Sequence, residues 1–359
     1  MYGAARAALG DAPLKPGALV RAIQDRSARY TTDRARLAAP ADKVGDLAAR
    51  AAFFTIADAM KIAIPVGELA GRAALPAARP LRVIDLGAGC GAMSLGLVVA
   101  TDVPLAITAI DKDARALELA AAAVKALAAR RGRAVTFATR TDDATTARLA
   151  DADLVVMGTL LNELSTEARL AAIERALAAL SPDGALIVIE PALRETTRDL
   201  HALRDAVIAR GSARVFAPCT RAIAPCPALA DPTDWCHEHR AATLPPRTAE
   251  LARLTHLRDD GLKFSYLVLR TEARPLAEEA HAWRVVGEPR ALKGKVEVRG
   301  CSDAGLVPLR LLRRNRTDGN RELERTTRGE LLITDAPVGD DRVEVLAETR
   351  VVRRDPSAT

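Results

Sequence analysis

The run Leu81–Leu86 (LRVIDL) is short, apolar and β-branched, and it passes through Gly87-Ala88-Gly89-Cys90-Gly91 into an apolar stretch of helical character. A strand that turns through three alternate glycines into a helix commits the following chain to strand–helix alternation. Such alternation is found. Residues 105–110 read as a strand, 114–130 as an Ala-rich helix, and 135–138 and 154–157 as strands. Residues 166–180 read as a helix, 185–190 as a strand, 195–210 as a helix and 215–216 as a brief strand. This order predicts an α/β fold with a mostly parallel, doubly wound sheet. Residues 1–76 read as a helical region, and 77–274 as the α/β domain. Within it, a Pro- and Cys-rich insertion at 217–246 breaks the pattern before the strong strand FSYLVLR at 264–270. Residues 282–359 contain short strands at 283–287, 293–299, 307–312 and 342–348 with no long helix between them, which predicts a small OB-like antiparallel β-barrel. No apolar run reaches the roughly 20 residues that span a bilayer, so no membrane partner is expected.

The glycine loop lets backbone approach a ligand closely, beside helix amides that favour negative charge. Asp111 closes the next strand, where a carboxylate can bond ribose hydroxyls. Two cofactors fit this geometry. Gly87, Gly89 and Ala92 match the dinucleotide pattern G-x-G-x-x-A, while Asp85 with Gly87, Gly89 and Gly91 matches the D-x-G-x-G-x-G loop of S-adenosylmethionine (SAM) enzymes. Asp85, two residues before the first glycine, favours SAM. The expected pocket is Asp85, Gly87, Ala88, Gly89, Cys90 and Gly91, with Asp111 and Lys112 after the second strand. Asp142 and Asp143 after the third would face the adenine amine, and Thr159 and Leu160 after the fourth would line the cleft. No catalytic residue is identified. Methyl transfer needs chiefly a positioned nucleophile, so that absence excludes little.

Four of the five cysteines follow later, at Cys219, Cys226, Cys236 and Cys301. No export signal is read at the N-terminus, so a reducing compartment is expected, in which such thiols are metal ligands more often than disulfides. Three of them share a Pro-rich loop too poor in apolar residues to order itself, and a metal would supply ordering energy. Four thiolates suit tetrahedral zinc or a cubane iron–sulfur cluster; His237 and His239 would tilt the choice to zinc. The alternative is four unrelated buried thiols. The net charge of +6 permits a polyanionic partner without requiring one.

Taken together, residues 85–91, the PCP and DWCH runs at 225–237, FSYLVLR and the late Gly300-Cys301 resemble the methyltransferase-like proteins of small-ribosomal-subunit assembly. The resemblance implies a SAM-type Rossmann-like domain and a [4Fe–4S] cluster on Cys219, Cys226, Cys236 and Cys301. It also implies a C-terminal barrel and binding to small-subunit ribosomal RNA. For RNA contact the best candidates are Arg310, Arg313, Arg314 and Arg316, because a guanidinium fork suits phosphate. The function expected is a SAM-dependent methyltransferase-like protein, or alternatively a non-catalytic assembly factor on the same fold. The expected setting is the bacterial cytoplasm rather than the mitochondrial matrix, with the protein a monomer off the ribosome.

Overall fold

The computed structural model describes residues 1–31, 42–76, 79–220, 225–258, 261–272 and 274–358. Residues 221–224 of the Cys-rich insertion therefore lie outside the described residues. The chain divides into two compact units. The first comprises Met1–Val66, Leu75–Ile189 and Ala241–Leu262; the second comprises Gly67–Ala74, Glu190–Arg240 and Lys263–Thr359.

In the first unit the strands are β1 (Leu81–Leu86), β2 (Leu105–Asp111), β3 (Val135–Thr141), β4 (Ala152–Gly158) and β5 (Leu180–Pro191). They pair in parallel in the order β3-β2-β1-β4-β5. Helices Ala92–Ala100, Ala114–Arg131 and Thr166–Ala178 make the crossovers. Burial follows position. Central β4 has six buried residues in succession, whereas edge strand β3 alternates partly buried with exposed positions. The helix at 114–131 starts where the Asp113 side chain accepts from the Ala116 amide, and stops at Gly132 in the left-handed region. The strand order reverses between β1 and β4, which opens a crevice at their carboxyl ends, the position where open α/β sheets bind ligands.

The N-terminal helices Tyr2–Leu9, Pro16–Thr31, Lys43–Ala49 and Thr55–Ala59 belong to the same unit. Leu19, Ile23, Leu47 and Phe53 of this region share one core with Ala116 and Leu119 of the 114–131 helix. Between 49 and 55 the backbone forms a π-turn, Arg50–Phe54. Such turns insert a residue into a helix, re-aim its side chains and recur at functional sites.

The second unit holds helix Arg194–Ala209 and strands β6 (Arg214–Ala217), β7 (Glu238–Arg240) and β8 (Leu262–Arg270), with β6 antiparallel to β8. Beyond them come β9 (Ala282–Val285), β10 (Arg290–Leu292), β11 (Lys295–Ser302), β12 (Gly305–Leu312), β13 (Leu331–Thr334), β14 (Val343–Val345) and β15 (Val351–Arg354). These form a sheet in the order β14-β12-β11-β9-β13-β15, with β10 on β11. The expected antiparallel barrel is not shown. The path is open, with β14 and β15 at its ends, and β14 runs parallel to β12. Its core is Trp283, Val285, Val298, Leu309, Leu332 and Val345.

A buried polar group ties Glu68 to β7, β8 and β9 within this unit. Arg284 Nη1 lies 2.6 Å from Glu68 Oε1, and its Nη2 lies 3.0 Å from Glu238 Oε1. The Tyr266 hydroxyl accepts from Arg284 Nη2 at 2.9 Å and donates to Glu68 at 2.7 Å. All four residues are buried.

Candidate functional site

The first unit places the glycine loop in the crevice. Gly87, Gly89 and Gly91 all have left-handed φ, at 74°, 51° and 81°. Their amides are committed inside the loop. Those of Gly87 and Ala88 donate to the Ile110 carbonyl at 2.8 and 3.0 Å, and that of Gly91 to the Ala88 carbonyl at 2.7 Å. The Gly89 amide donates to Asp111 Oδ2 at 2.8 Å, and Asp111 Oδ1 accepts from the Asp113 amide at 2.9 Å. Asp111 thus stands at the loop, with lone pairs left for hydroxyl donors.

Asp85 serves the loop from below. It is buried, and its Oδ2 accepts from the Ser94 amide at 3.0 Å and from the Ser94 hydroxyl at 2.6 Å. Burial lifts its pKa to about 6 against those two bonds. Asp85 therefore couples β1 to the following helix. Ala88 and Cys90 are buried loop residues.

Other expected pocket residues divide. The Asp142 amide donates to the Asp111 carbonyl at 3.1 Å, which sets 142 beside 111 at the strand ends. Asp143 spends Oδ1 on its own turn, accepting from the Thr145 amide at 2.7 Å and hydroxyl at 2.6 Å. Lys112 is exposed. Thr159, the residue directly after β4, has φ 60°, a conformation costly for a β-branched residue. Leu160 lies over the loop: a Cβ on Gly87 would stand 2.9 Å from its Cδ1.

Sequence reasoning misses what the N-terminal helices bring to this crevice. Arg50 Nη1 lies 2.6 Å from Asp113 Oδ2, and its Nη2 rests against Gly89, 3.0 Å from where a Cβ would be. The Tyr30 hydroxyl donates to Glu163 Oε1 at 2.8 Å and accepts from Arg26 Nη2 at 2.8 Å. The signal that could have found Arg50 is an arginine set inside the apolar stretch AARAAFF.

In the second unit, Cys219, Cys226, Cys236 and Cys301 all line one cavity, with His201 and Arg204 in the same wall. The four thiols named from sequence are therefore brought together. The expected metal site is not shown: among the described residues, no group of three or more His, Cys, Asp or Glu is arranged to hold a metal ion. Four thiols lining one cavity are the donor chemistry of a thiophilic metal. Burial, then neighbouring Cys219, raises the Cys226 pKa to about 11, and burial pushes Cys236 well above its usual range.

The loop's ordering comes from one face of helix Arg194–Ala209. Arg198 Nη1 donates to the carbonyls of Ala228, Asp231 and Asp234 at 3.1, 2.8 and 2.7 Å. One turn on, His201 Nε2 accepts from the Cys236 amide at 3.3 Å, and Asp205 Oδ2 accepts from the Cys226 amide at 2.8 Å. Arg198→Met removes a cation bonded to four carbonyls, since its Nη2 also donates to that of Leu229 at 3.4 Å. It is expected to accelerate proteolytic cleavage within 225–237 by tenfold or more, at about 1.4 kcal/mol per decade. An unchanged cleavage rate in limited proteolysis would show that the loop is ordered by something else.

The four arginines named for RNA contact also divide. Arg310 pairs with Glu344 and Arg316 with Glu324. Arg313 and Arg314 are exposed in the turn Arg313–Asn315. The Arg313 amide donates to the Gly294 carbonyl at 2.9 Å, which sets this turn beside exposed Lys293.

Residues 58–328 match the family model described as mitochondrial small ribosomal subunit Rsm22. That description points to the mitochondrion and corrects the expectation of a bacterial cytoplasm. The expectation rests on the N-terminal residues, which the matched span does not include. No curated protein matches the sequence. Among solved structures, the chain is similar to the magnesium protoporphyrin IX methyltransferase of Synechocystis PCC 6803 with bound SAM. That likeness has 15% identity over 69% of this chain and 96% of the other, at a TM-score of 0.35. It is also similar to a SAM-dependent methyltransferase of Leishmania major, with 16% identity over 71% of this chain and 82% of the other, at a TM-score of 0.37. These likenesses are loose, and the chain's own strand order defines its fold.

Proposed function

Because the chain belongs to the mitochondrial small ribosomal subunit Rsm22 family, we propose that it is a SAM-binding, methyltransferase-like protein acting on the small ribosomal subunit and its RNA. The observation that carries the cofactor reading is the glycine loop at the switch point, with Asp111 bonded to the Gly89 amide. In this reading Asp111 holds the ribose, Leu160 packs beside the loop and Asp142 borders the adenine end. When bound, SAM supplies an electrophilic methyl group; the protein's part is to position both partners in line.

The alternative is an assembly factor that keeps the fold and transfers nothing. It is favoured by Leu160 and Leu161, apolar residues standing after β4 where a nucleophile would be oriented. Immature small subunits incubated with methyl-labelled SAM separate the two. Label transferred to RNA supports the enzyme, binding without transfer supports the assembly factor, and no binding sinks both cofactor assignments.

The four thiols are proposed to take up a [4Fe–4S] cluster or zinc, with Arg204 a buried positive charge in the cavity wall. Anaerobic purification followed by visible spectra and iron, sulfide and zinc analysis tests this. A colourless, metal-free, folded protein would overturn it.

RNA contact is proposed at exposed Arg313 and Arg314, and not at Arg310, which its own carboxylate partner already engages. Arg313→Glu with Arg314→Glu is expected to flatten the dependence of log affinity on log salt by roughly one unit for each phosphate no longer engaged. Arg310→Gln is expected to leave that slope unchanged. The reverse ranking would contradict the assignment. The segments 1–76, 77–274 and 282–359 are kept as the proposed division of labour between helical, cofactor-binding and C-terminal parts.

A further inference from the structure

We propose that Arg50 is the counter-ion for an anionic end group of the ligand held at the glycine loop. The proposal rests on the SAM reading, in which that group is the carboxylate at the amino-acid end of the cofactor. Its starting point is what the loop lacks. The amides of Gly87, Ala88, Gly89 and Gly91 are all spent on Ile110, Asp111 and Ala88. With these four amides internally satisfied, the loop has few donors left for an anion, and a cation from another element would add what they do not supply.

Arg50 is placed to supply it. The π-turn Arg50–Phe54 carries the guanidinium to the loop, where Nη2 rests against Gly89. The approach is close, since a Cβ on Gly89 would stand 3.0 Å from Nη2. The side chain keeps 19% of its surface accessible, so one edge remains open to a ligand. Nη1 is fixed by Asp113 Oδ2 at 2.6 Å, which orients the fork without using all five donors.

The nearby carboxylates do not exhaust Arg50. Asp113 Oδ1 accepts from the Ala116 amide at 3.1 Å, and Asp111 accepts from the Gly89 and Asp113 amides. Backbone donors hold both carboxylates in place, so Arg50 can engage a further anion without stripping either of its partner. The same arrangement gives the N-terminal helical region a direct part in ligand binding.

The test compares SAM with decarboxylated SAM, which lacks only the anion, on the full-length protein by equilibrium titration. Wild type is expected to prefer SAM by about tenfold to a hundredfold, the range for a charged hydrogen bond. Arg50→Met is expected to bind both ligands alike, and Arg50→Lys to recover part of the preference, because it keeps the charge but loses the fork. The ratio is read within each variant, so a partly unfolded fraction cancels. A preference for SAM undiminished in Arg50→Met overturns the proposal while leaving the cofactor reading intact. Wild type that binds neither ligand overturns both.

Discussion

Arg284→Met is expected to destabilise the protein by about 3–5 kcal/mol, the cost of removing one partner from a buried ion pair. The guanidinium lies between Glu68 and Glu238. Methionine would leave Glu68 buried without this cation, and would leave Glu238 to Arg240. Against the 5–15 kcal/mol typical of a domain, that loss is large. The deficit should also depend on pH. Burial already holds the Glu68 pKa above its usual value, even with Arg284 beside it. A carboxylic acid whose folded pKa exceeds its unfolded one binds its proton more tightly when folded, so its contribution to stability falls as pH rises through that window. Removing Arg284 pushes Glu68 further in the same direction. The deficit is therefore expected to be greatest near neutrality and to shrink as pH is lowered toward the ordinary carboxylate range. Urea denaturation of both proteins across pH measures it. A loss below about 1 kcal/mol, or one that grows as pH falls, would contradict a buried pair of this kind.

Gly91→Val is the second large effect. Gly91 has φ 81°, and a Cβ there would lie 2.8 Å from the Ala120 Cβ. The left-handed backbone costs about 1–2 kcal/mol for a residue with a side chain. Forcing an overlap into a packed site adds about 1–3 kcal/mol. The sum, about 2–5 kcal/mol, falls on the contact between the loop and helix Ala114–Arg131. Gly294 provides the comparison, with φ 77° and open space around its missing Cβ. Gly294→Val should show only the backbone cost. Equal denaturation midpoints for the two variants would mean that the Ala120 contact yields easily.

Much of the first unit is legible in the sequence because its signals are local. β1 can be read to the residue, since an apolar run bounded by a proline and a glycine leaves little choice. Helix Ala114–Arg131 differs by one residue at its end from the sequence reading. In the second unit, β12 and β14 are both legible as strands but their parallel pairing is not, because alternation marks a strand without naming its partner. The short strands β7, β10, β13 and β15 have three or four residues each, too few to establish a period. The site shows the same division. Asp111 is predictable from its distance along one βαβ unit. Arg50 meets Asp113, and Tyr30 meets Glu163, only through folding, and neither pair carries a local pattern. The composition of the Cys-rich loop suggests that a metal must order it. Arg198, on a separate helix, already binds four of its carbonyls.

The central claim is that the crevice beside Asp111 is a SAM site. Calorimetric titration of the purified protein tests it most directly, with Asp111→Asn and NAD as comparisons. The expected result is saturable one-to-one binding of SAM, weakened about tenfold or more in Asp111→Asn by loss of a charged hydrogen bond, and no binding of NAD. Binding of NAD without SAM, or SAM binding indifferent to Asp111, would contradict it.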